Sequence, residues 1–368
     1  MTARDSGTDS RSPAGQGPGA SRERRLEAPH RRGGRSPRVV ERLAVASYRG
    51  AERLLAVLPE GPTAALVGLG AQLSYVAWPT KRRWSNRNFG HVLGLPPDDH
   101  RVRATALRAY RTYGHYLVEL MRLPSMSAAE KEVLVPAPDI EDLGRIWRST
   151  DGRGLILVAC HMGSNEAVGA AVAGHGLPIN VVADDSSFPE LFEHLRRQRE
   201  TWGFHLIPWR NLREVFAVLR RGEILGLLVD WGYRPDGIPV RFFGAWTTLP
   251  AGPATLAGKT GAPILPIIIR RQPDRTYHVS WPTPIEVPST GPADLARATQ
   301  AIADALGSNI GGAPDQWYSF KPIWPSSAEE AADLERRARL MEAGEPDPGP
   351  GGATASDAGP PAPGAPAR

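Results

Sequence analysis

Two ionisable side chains stand where a catalytic pair could be built. His161 follows the apolar run at residues 155–160, and Asp230 follows the apolar run at 224–229. Each run is continuous rather than alternating, as expected of a strand covered on both faces. In α/β sheets ligands bind at the carboxyl ends of the strands, so both residues fall at that edge. A carboxylate that holds one imidazole nitrogen leaves the other free to accept a proton. The chemistry implied is general base catalysis, in which the imidazole draws a proton from an attacking hydroxyl. Gly163 permits close backbone approach where a helix N-terminus offers free N–H groups. Glu166 is a second carboxylate candidate. It lies five residues past His161, off the i+3 and i+4 spacings at which helical side chains meet. Asp230 needs no special turn and is expected nearer the ring, at about 3 Å. Glu166 is expected to brace the start of its helix, where the dipole favours a carboxylate.

Other chemistries lack their parts. Cys160 adjoins His161, but successive strand residues point to opposite faces, and a lone thiol there reads as a small buried hydrophobe. With one cysteine no intrachain disulfide forms, and zinc sites built on two or more thiolates are excluded. No metal ligand set is expected. There is no G-x-S-x-G elbow, no G-x-G-x-x-G or P-loop after a strand, and no histidine pair at metalloprotease spacing.

The elements that must position this pair follow from periodicity. Three N-terminal helices are expected at 38–58, 63–78 and about 100–123, from apolar residues at helical spacing. After residue 150 strands and helices alternate. Strands are read at 155–160, 179–183, 204–207, 224–229 and 264–269, with an edge strand at 277–281. Helices are read at 163–173, 189–202, 212–221, 253–260 and 293–309. Short connections between alternating elements predict an α/β fold: a mostly parallel central sheet with helices on both faces, preceded by membrane-proximal helices. One domain is expected over 38–325, with 38–123 helical and 150–325 the α/β core. A further helix is expected at 326–343.

Composition bounds the ends. Residues 1–37 and 344–368 are rich in Gly, Pro, Ser, Ala or Arg and poor in large apolar residues, so both are expected to be disordered tails. The net charge of +5 is concentrated in the first tail and at Lys81, Arg82 and Arg83. Such clusters suit an anionic membrane surface or nucleic acid. Nothing within 38–325 offers a basic, aromatic-interleaved nucleic-acid surface, so no nucleic-acid partner is expected. No secretory signal and no spanning helix are expected, because the most apolar stretch, 64–78, is shorter than the ~20 residues a bilayer needs. The 63–78 helix with the basic cluster behind it reads either as an interfacial element or as a hairpin packed on the core.

Several short motifs in order carry a resemblance. They are His161-Met162-Gly163-Ser164-Asn165-Glu166, Arg199-Glu200-Thr201-Trp202-Gly203, Arg220-Arg221-Gly222-Glu223 and Leu228-Val229-Asp230. Phe242-Phe243-Gly244, Leu249-Pro250-Ala251-Gly252-Pro253-Ala254, Thr260-Gly261-Ala262-Pro263 and Pro314-Asp315-Gln316-Trp317-Tyr318 follow. Together, over about 38–325 and including Asn88, they resemble the bacterial lipid A late acyltransferases and the phosphatidylinositol mannoside acyltransferases. The resemblance implies a groove for an acyl chain and an O-acyltransferase that needs no cofactor. Acyl-CoA or acyl carrier protein would be the thioester donor and a membrane glycolipid the acceptor, at the cytoplasmic face of the membrane. By resemblance His161 is the base, Glu166 fills the acidic position of the signature, and Asp230 matches an acidic position. Arg199 is placed near the thioester carbonyl, with Gly163, Phe243 and Gly252 toward the oxyanion or substrate. Ser164-Asn165 departs from the Asn-Trp of lipid A enzymes. A thioester hydrolase and a non-catalytic membrane-binding protein are the rival readings on this scaffold.

Overall fold

The computed structural model describes residues 37–185 and 189–352. The tail expected at 1–37 lies, but for Pro37, outside the described residues, as does the end of the chain from 353. The N-terminal part is helical: α1 (Pro37–Val57), α2 (Glu60–Ala77), α3 (Pro79–Leu93) and α4 (His100–Arg122). Proline fixes the joints. Pro79 enters α3 in its first turn, where the missing N–H costs nothing. Gly94 closes α3 in the left-handed region, at φ 63°. Asp99 then caps α4, accepting from the Arg101 N–H at 2.8 Å. Helices α2 and α4 cross at Gly68 and Gly114. A Cβ added to Gly114 would lie 2.6 Å from the Gly68 Cα, so only glycine allows this approach.

Two short helices, α5 (Ala128–Glu132) and α6 (Ala137–Arg148), lead into the sheet. The core then runs β1 (Leu155–Ala159), α7 (Asn165–Gly174), β2 (Ile179–Ala183), α8 (Pro189–Glu200), β3 (His205–Pro208), α9 (Leu212–Arg220), β4 (Ile224–Leu228). It continues β5 (Ile238–Phe242), β6 (Ala245–Leu249), α10 (Gly252–Thr260), β7 (Ile264–Pro266), β8 (Ile268–Arg271), β9 (Tyr277–Ser280), α11 (Pro292–Gly312) and α12 (Ala328–Glu342). Five strands form one parallel sheet in the order β3-β2-β4-β1-β7. Period-2 alternation divides β1 between two cores: Ile156, Val158 and Cys160 face one, Leu155, Leu157 and Ala159 the other. Helices cover both faces, as the buried strands require.

The register decides the site. Ala159 pairs with Leu228 in the β1–β4 ladder. Two residues further on, the adjacent strands deliver His161 and Asp230 side by side.

Three expectations are corrected. The run at 264–269 is two strands, not one. β7 ends at Pro266, which has no N–H to donate, and β8 turns away to pair antiparallel with β9. The strand expected at 277–281 is therefore no edge of the main sheet. Periodicity also passes over α3, α6 and the β5–β6 hairpin, whose two-residue turn is Phe243-Gly244. Finally, the tail expected from 344 is structured as far as 352. Arg337, on the expected helix at 326–343, is 1% exposed and ion-paired to Asp347 at 2.6 Å.

Candidate active site

His161 and Asp230 form a bonded pair. The imidazole Nδ1 lies 2.6 Å from Asp230 Oδ1, and the His161 backbone N–H donates to both carboxylate oxygens at 3.0 Å. The indole N–H of Trp317 donates to Oδ2 at 2.7 Å. Three donors thus converge on a carboxylate whose side chain is 2% exposed, while the imidazole is 31% exposed. Asp230 is the fixed end and the far edge of the ring is the open end. Burial alone would raise the Asp230 pKa. The charge and hydrogen bonds of His161, with the Trp317 bond, outweigh it and hold the carboxyl below its usual range. For His161 burial opposes protonation, but the charge and bond of Asp230 win, and the imidazole pKa is raised.

A strap after α11 locks the pair. The Tyr318 N–H donates to the His161 carbonyl at 2.8 Å and the Ser319 hydroxyl to the Asp230 carbonyl at 3.2 Å. Buried Asn88 on α3 holds the strap in turn. Its amide donates to the carbonyls of Ser319 (3.1 Å) and Lys321 (2.7 Å).

Glu166 has other partners. Tyr116 donates to its Oε2 at 2.9 Å and Arg199 to its Oε1 at 3.0 Å. No hydrogen bond joins Glu166 to the imidazole among the described residues; it acts on His161 through charge. The Arg199 side chain is 10% exposed, and its Nη1 is buried without a hydrogen-bond partner among the described residues. Asn165, Glu166 and Arg199 are the polar residues bordering an apolar pocket between the sheet and helices α7 and α8. Its walls include Leu157, Val168, Val181, Leu206, Leu227 and Ile269.

Gly163 occupies the left-handed region at φ 62°, and a Cβ there would meet Ile269 Cγ2 at 2.5 Å. Its backbone makes the turn into α7, whose N-cap Ser164 accepts from the Ala167 N–H at 3.2 Å. Phe243 sits in the β5–β6 turn with φ 50° and packs on Phe242 and Trp324. Gly252 opens α10. No hydrogen bond or ring contact joins either residue to the pair among the described residues. Cys160 is buried in the core opposite the imidazole, and burial pushes its thiol pKa well up. It is no nucleophile.

The chain matches the family described as bacterial lipid A biosynthesis acyltransferase over residues 38–326. It belongs to that family. It is 31% identical over 300 residues to a phosphatidylinositol mannoside acyltransferase of Mycolicibacterium smegmatis, covering 80% of this chain and 94% of that protein. A Mycobacterium tuberculosis (strain CDC 1551 / Oshkosh) protein of the same name is 29% identical over 266 residues, 69% of this chain and 80% of its own length. The chain is thus an O-acyltransferase.

Sequence reasoning missed the roles of several residues around this acyltransferase's pair. Trp317 and Asn88 stand in the matched region, but nothing in their spacing announces a bond to Asp230 or to the strap. Tyr116 lies on the apolar side of α4 and reads as core. Trp231 could have been found, since a large aromatic directly after a strand-end carboxylate has no core to enter. It is 65% exposed, with its ring 5.3 Å from the imidazole.

Proposed function

We propose that this acyltransferase moves a fatty acyl chain from an acyl-CoA or acyl carrier protein thioester to a hydroxyl of a mannosylated phosphoinositide lipid. His161 is the general base. The observation that carries the reading is the His161–Asp230 pair, with Nδ1 held at 2.6 Å and the other ring edge open. Asp230 fixes the tautomer that leaves Nε2 unprotonated. Nε2 takes the acceptor hydroxyl proton as that oxygen attacks the thioester carbon. The tetrahedral intermediate collapses, the C–S bond breaks, and the thiolate leaves with the proton returned from the imidazolium. The apolar cavity suits the acyl chain. The unpartnered Arg199 Nη1 at its border is a donor suited to the thioester carbonyl oxygen. The acceptor class rests on the names of the relatives.

Access from a membrane surface fits the helical part. On α2 the small or polar Thr63 and Gly68 and the ring of Tyr75 are buried. Leu66, Leu69, Leu73 and Val76 are more than half exposed. Apolar residues on the outer face of a helix, followed by Lys81, Arg82 and Arg83, suit peripheral attachment to the anionic cytoplasmic face. Among the described residues no helix is long and apolar enough to cross a membrane.

The test is transfer by the full chain from palmitoyl-CoA to purified phosphatidylinositol mannosides in detergent micelles, read by mass spectrometry. One added acyl chain is expected, lost in His161→Ala with the melting temperature retained. Free fatty acid without acylated lipid would make the protein a thioester hydrolase instead.

A further inference from the structure

A second cleft opens beside the pair, at Trp231. Trp231, Gly232, Tyr233, Arg234, Lys321 and Trp324 are among its walls, and it shares no residue with the apolar cavity. Its chemistry differs too. The Lys321 ammonium lies 3.6 Å from the centre of the Trp231 ring. Lys81 sits between the rings of Trp78 and Trp84, 5.9 and 5.2 Å from their centres. Lys81 and Asn88 are seven residues apart on α3, two turns along one face. Asn88 holds the Lys321 carbonyl, so α3 carries one lysine and positions the other. Gly232 sets Trp231 against Lys321: its φ is 146°, and a Cβ there would lie 3.6 Å from the Lys321 Cβ.

We propose that Trp231, Lys321 and Lys81 form the acceptor headgroup subsite, the two ammonium groups taking the lipid phosphodiester and the indole packing on a sugar ring. This rests on the acceptor class proposed above. Lys81 and Lys321 carry like charges, and each is felt by the other. Burial and the like charge of Lys81 both depress the Lys321 pKa, against a smaller opposing contribution from Asp184. A phosphodiester relieves that repulsion and gains charge-assisted hydrogen bonds. The exposed indole offers an apolar plate to the C–H face of a pyranose while the hydroxyls stay in water. Trp231 is also 5.3 Å from the imidazole, so a sugar packed on it brings a hydroxyl to the base. Lys81 follows the exposed apolar face of α2, the side from which a membrane-borne headgroup arrives.

Phosphate also occurs on coenzyme A, and the two sources separate experimentally. Transfer by the full chain is measured in neutral detergent micelles to phosphatidylinositol mannoside and to a phosphate-free mannosyl diacylglycerol. In parallel, palmitoyl-CoA is compared with palmitoyl-pantetheine as donor. Wild type should favour the phosphate-bearing acceptor through KM. Lys321→Gln and Lys81→Gln should each cut that preference about tenfold, the size of one charge-assisted bond. Lys321→Arg should keep most of it. Trp231→Ala should raise KM for both acceptors alike, and Trp231→Phe should restore part of the loss. A preference unchanged in both lysine variants overturns the proposal. So does a selective loss of the preference for palmitoyl-CoA over palmitoyl-pantetheine, which would give the phosphate to the donor. Wild type that acylates no mannosylated phosphoinositide sinks the acceptor class and this subsite together.

Discussion

Asp230→Asn is the sharpest perturbation, because three donors meet two oxygens. An asparagine in the same place offers one acceptor oxygen and one donor group. If its oxygen takes the Oδ1 position, its NH₂ faces the Trp317 indole N–H and two buried donors collide. If its oxygen takes the Oδ2 position, it accepts from Trp317 and from the His161 backbone, both of which reach Oδ2 in the wild type. Its NH₂ then donates to Nδ1. Trp317, the His161 backbone N–H and Nδ1 each keep a partner, so this orientation wins, and the imidazole carries its proton on Nε2. The base is lost while the packing is kept. By analogy with catalytic triads whose carboxylate is amidated, kcat should fall about 10³–10⁴-fold. KM should change little, because the defect lies in the tautomer. The melting temperature should move by only a few degrees. Asp230→Ala makes the contrast, leaving the Trp317 N–H and the His161 N–H buried and unpaired. At about 1–3 kcal/mol each, that predicts a loss of roughly 2–6 kcal/mol. Steady-state transfer kinetics, calorimetry and nitrogen NMR of the His161 ring form the assay. A stable Asp230→Asn with more than a tenth of wild-type kcat, or with Nε2 unprotonated, refutes the tautomer argument.

Glu166→Gln should show the opposite pattern. Both partners keep a hydrogen bond, but the mostly buried Arg199 loses its counter-charge, so stability should fall by about 3 kcal/mol. Its kcat should fall less than tenfold, and a larger kcat loss than Asp230→Asn would reverse the two roles. The rate of transfer should rise with pH through the raised imidazole pKa, with its midpoint above the ordinary histidine value of about 6.5. Removing the Asp230 charge should move that midpoint down. Because the folded His161 pKa is raised, its contribution to stability is full below about pH 6.5 and is lost as pH climbs past the raised value. Asp230, with a depressed pKa, contributes above the ordinary carboxylate range and loses its contribution as pH falls through the folded value. Denaturant titrations across pH read both. Asp347→Asn, or truncation after residue 343, should destabilise the fold by about 2–3 kcal/mol through Arg337, a drop of roughly 5 °C or more. An unchanged melting temperature would mean that the end of the chain contributes nothing to the domain.

The sheet was legible because buried parallel strands announce themselves as continuous apolar runs. Those at 155–160 and 224–229 located the two strand ends, and the alternation of strands with helices implied a parallel arrangement. What periodicity missed has local causes. Helix α3 carries Lys81, Arg82, Arg83, Arg87 and Asn88, and its mean hydropathy is too low to show a face. It is a helix because Pro79 starts it and its buried residues, Ser85, Asn88, Phe89 and Gly90, pack on neighbours remote in sequence. The β5–β6 hairpin turns on Phe243-Gly244, where a phenylalanine at φ 50° replaces the asparagine or aspartate that ordinarily signals such a turn. The strained residue hid the hairpin.

The pairing of His161 with Asp230 was legible for a geometric reason: adjacent strand ends in register place their next side chains together. The environment of that pair was not. Trp317 reaches Asp230 from 87 residues away, on a strap with no period. Asn88 fixes that strap through backbone carbonyls, which every residue possesses and no sequence advertises. The strap consequently divides the site. Its inner side, Trp317 and Ser319, is buried and bonded to Asp230, and with the Tyr318 N–H on the His161 carbonyl it holds the pair in place. Its outer side carries Lys321 against the exposed Trp231, where bonds remain to be made. Substitutions on the inner side should act through kcat and the fold, and those on the outer side through the acceptor KM. One segment with two faces thus predicts two separable phenotypes, and a variant such as Asn88→Ala, which loosens the whole strap, should show both at once.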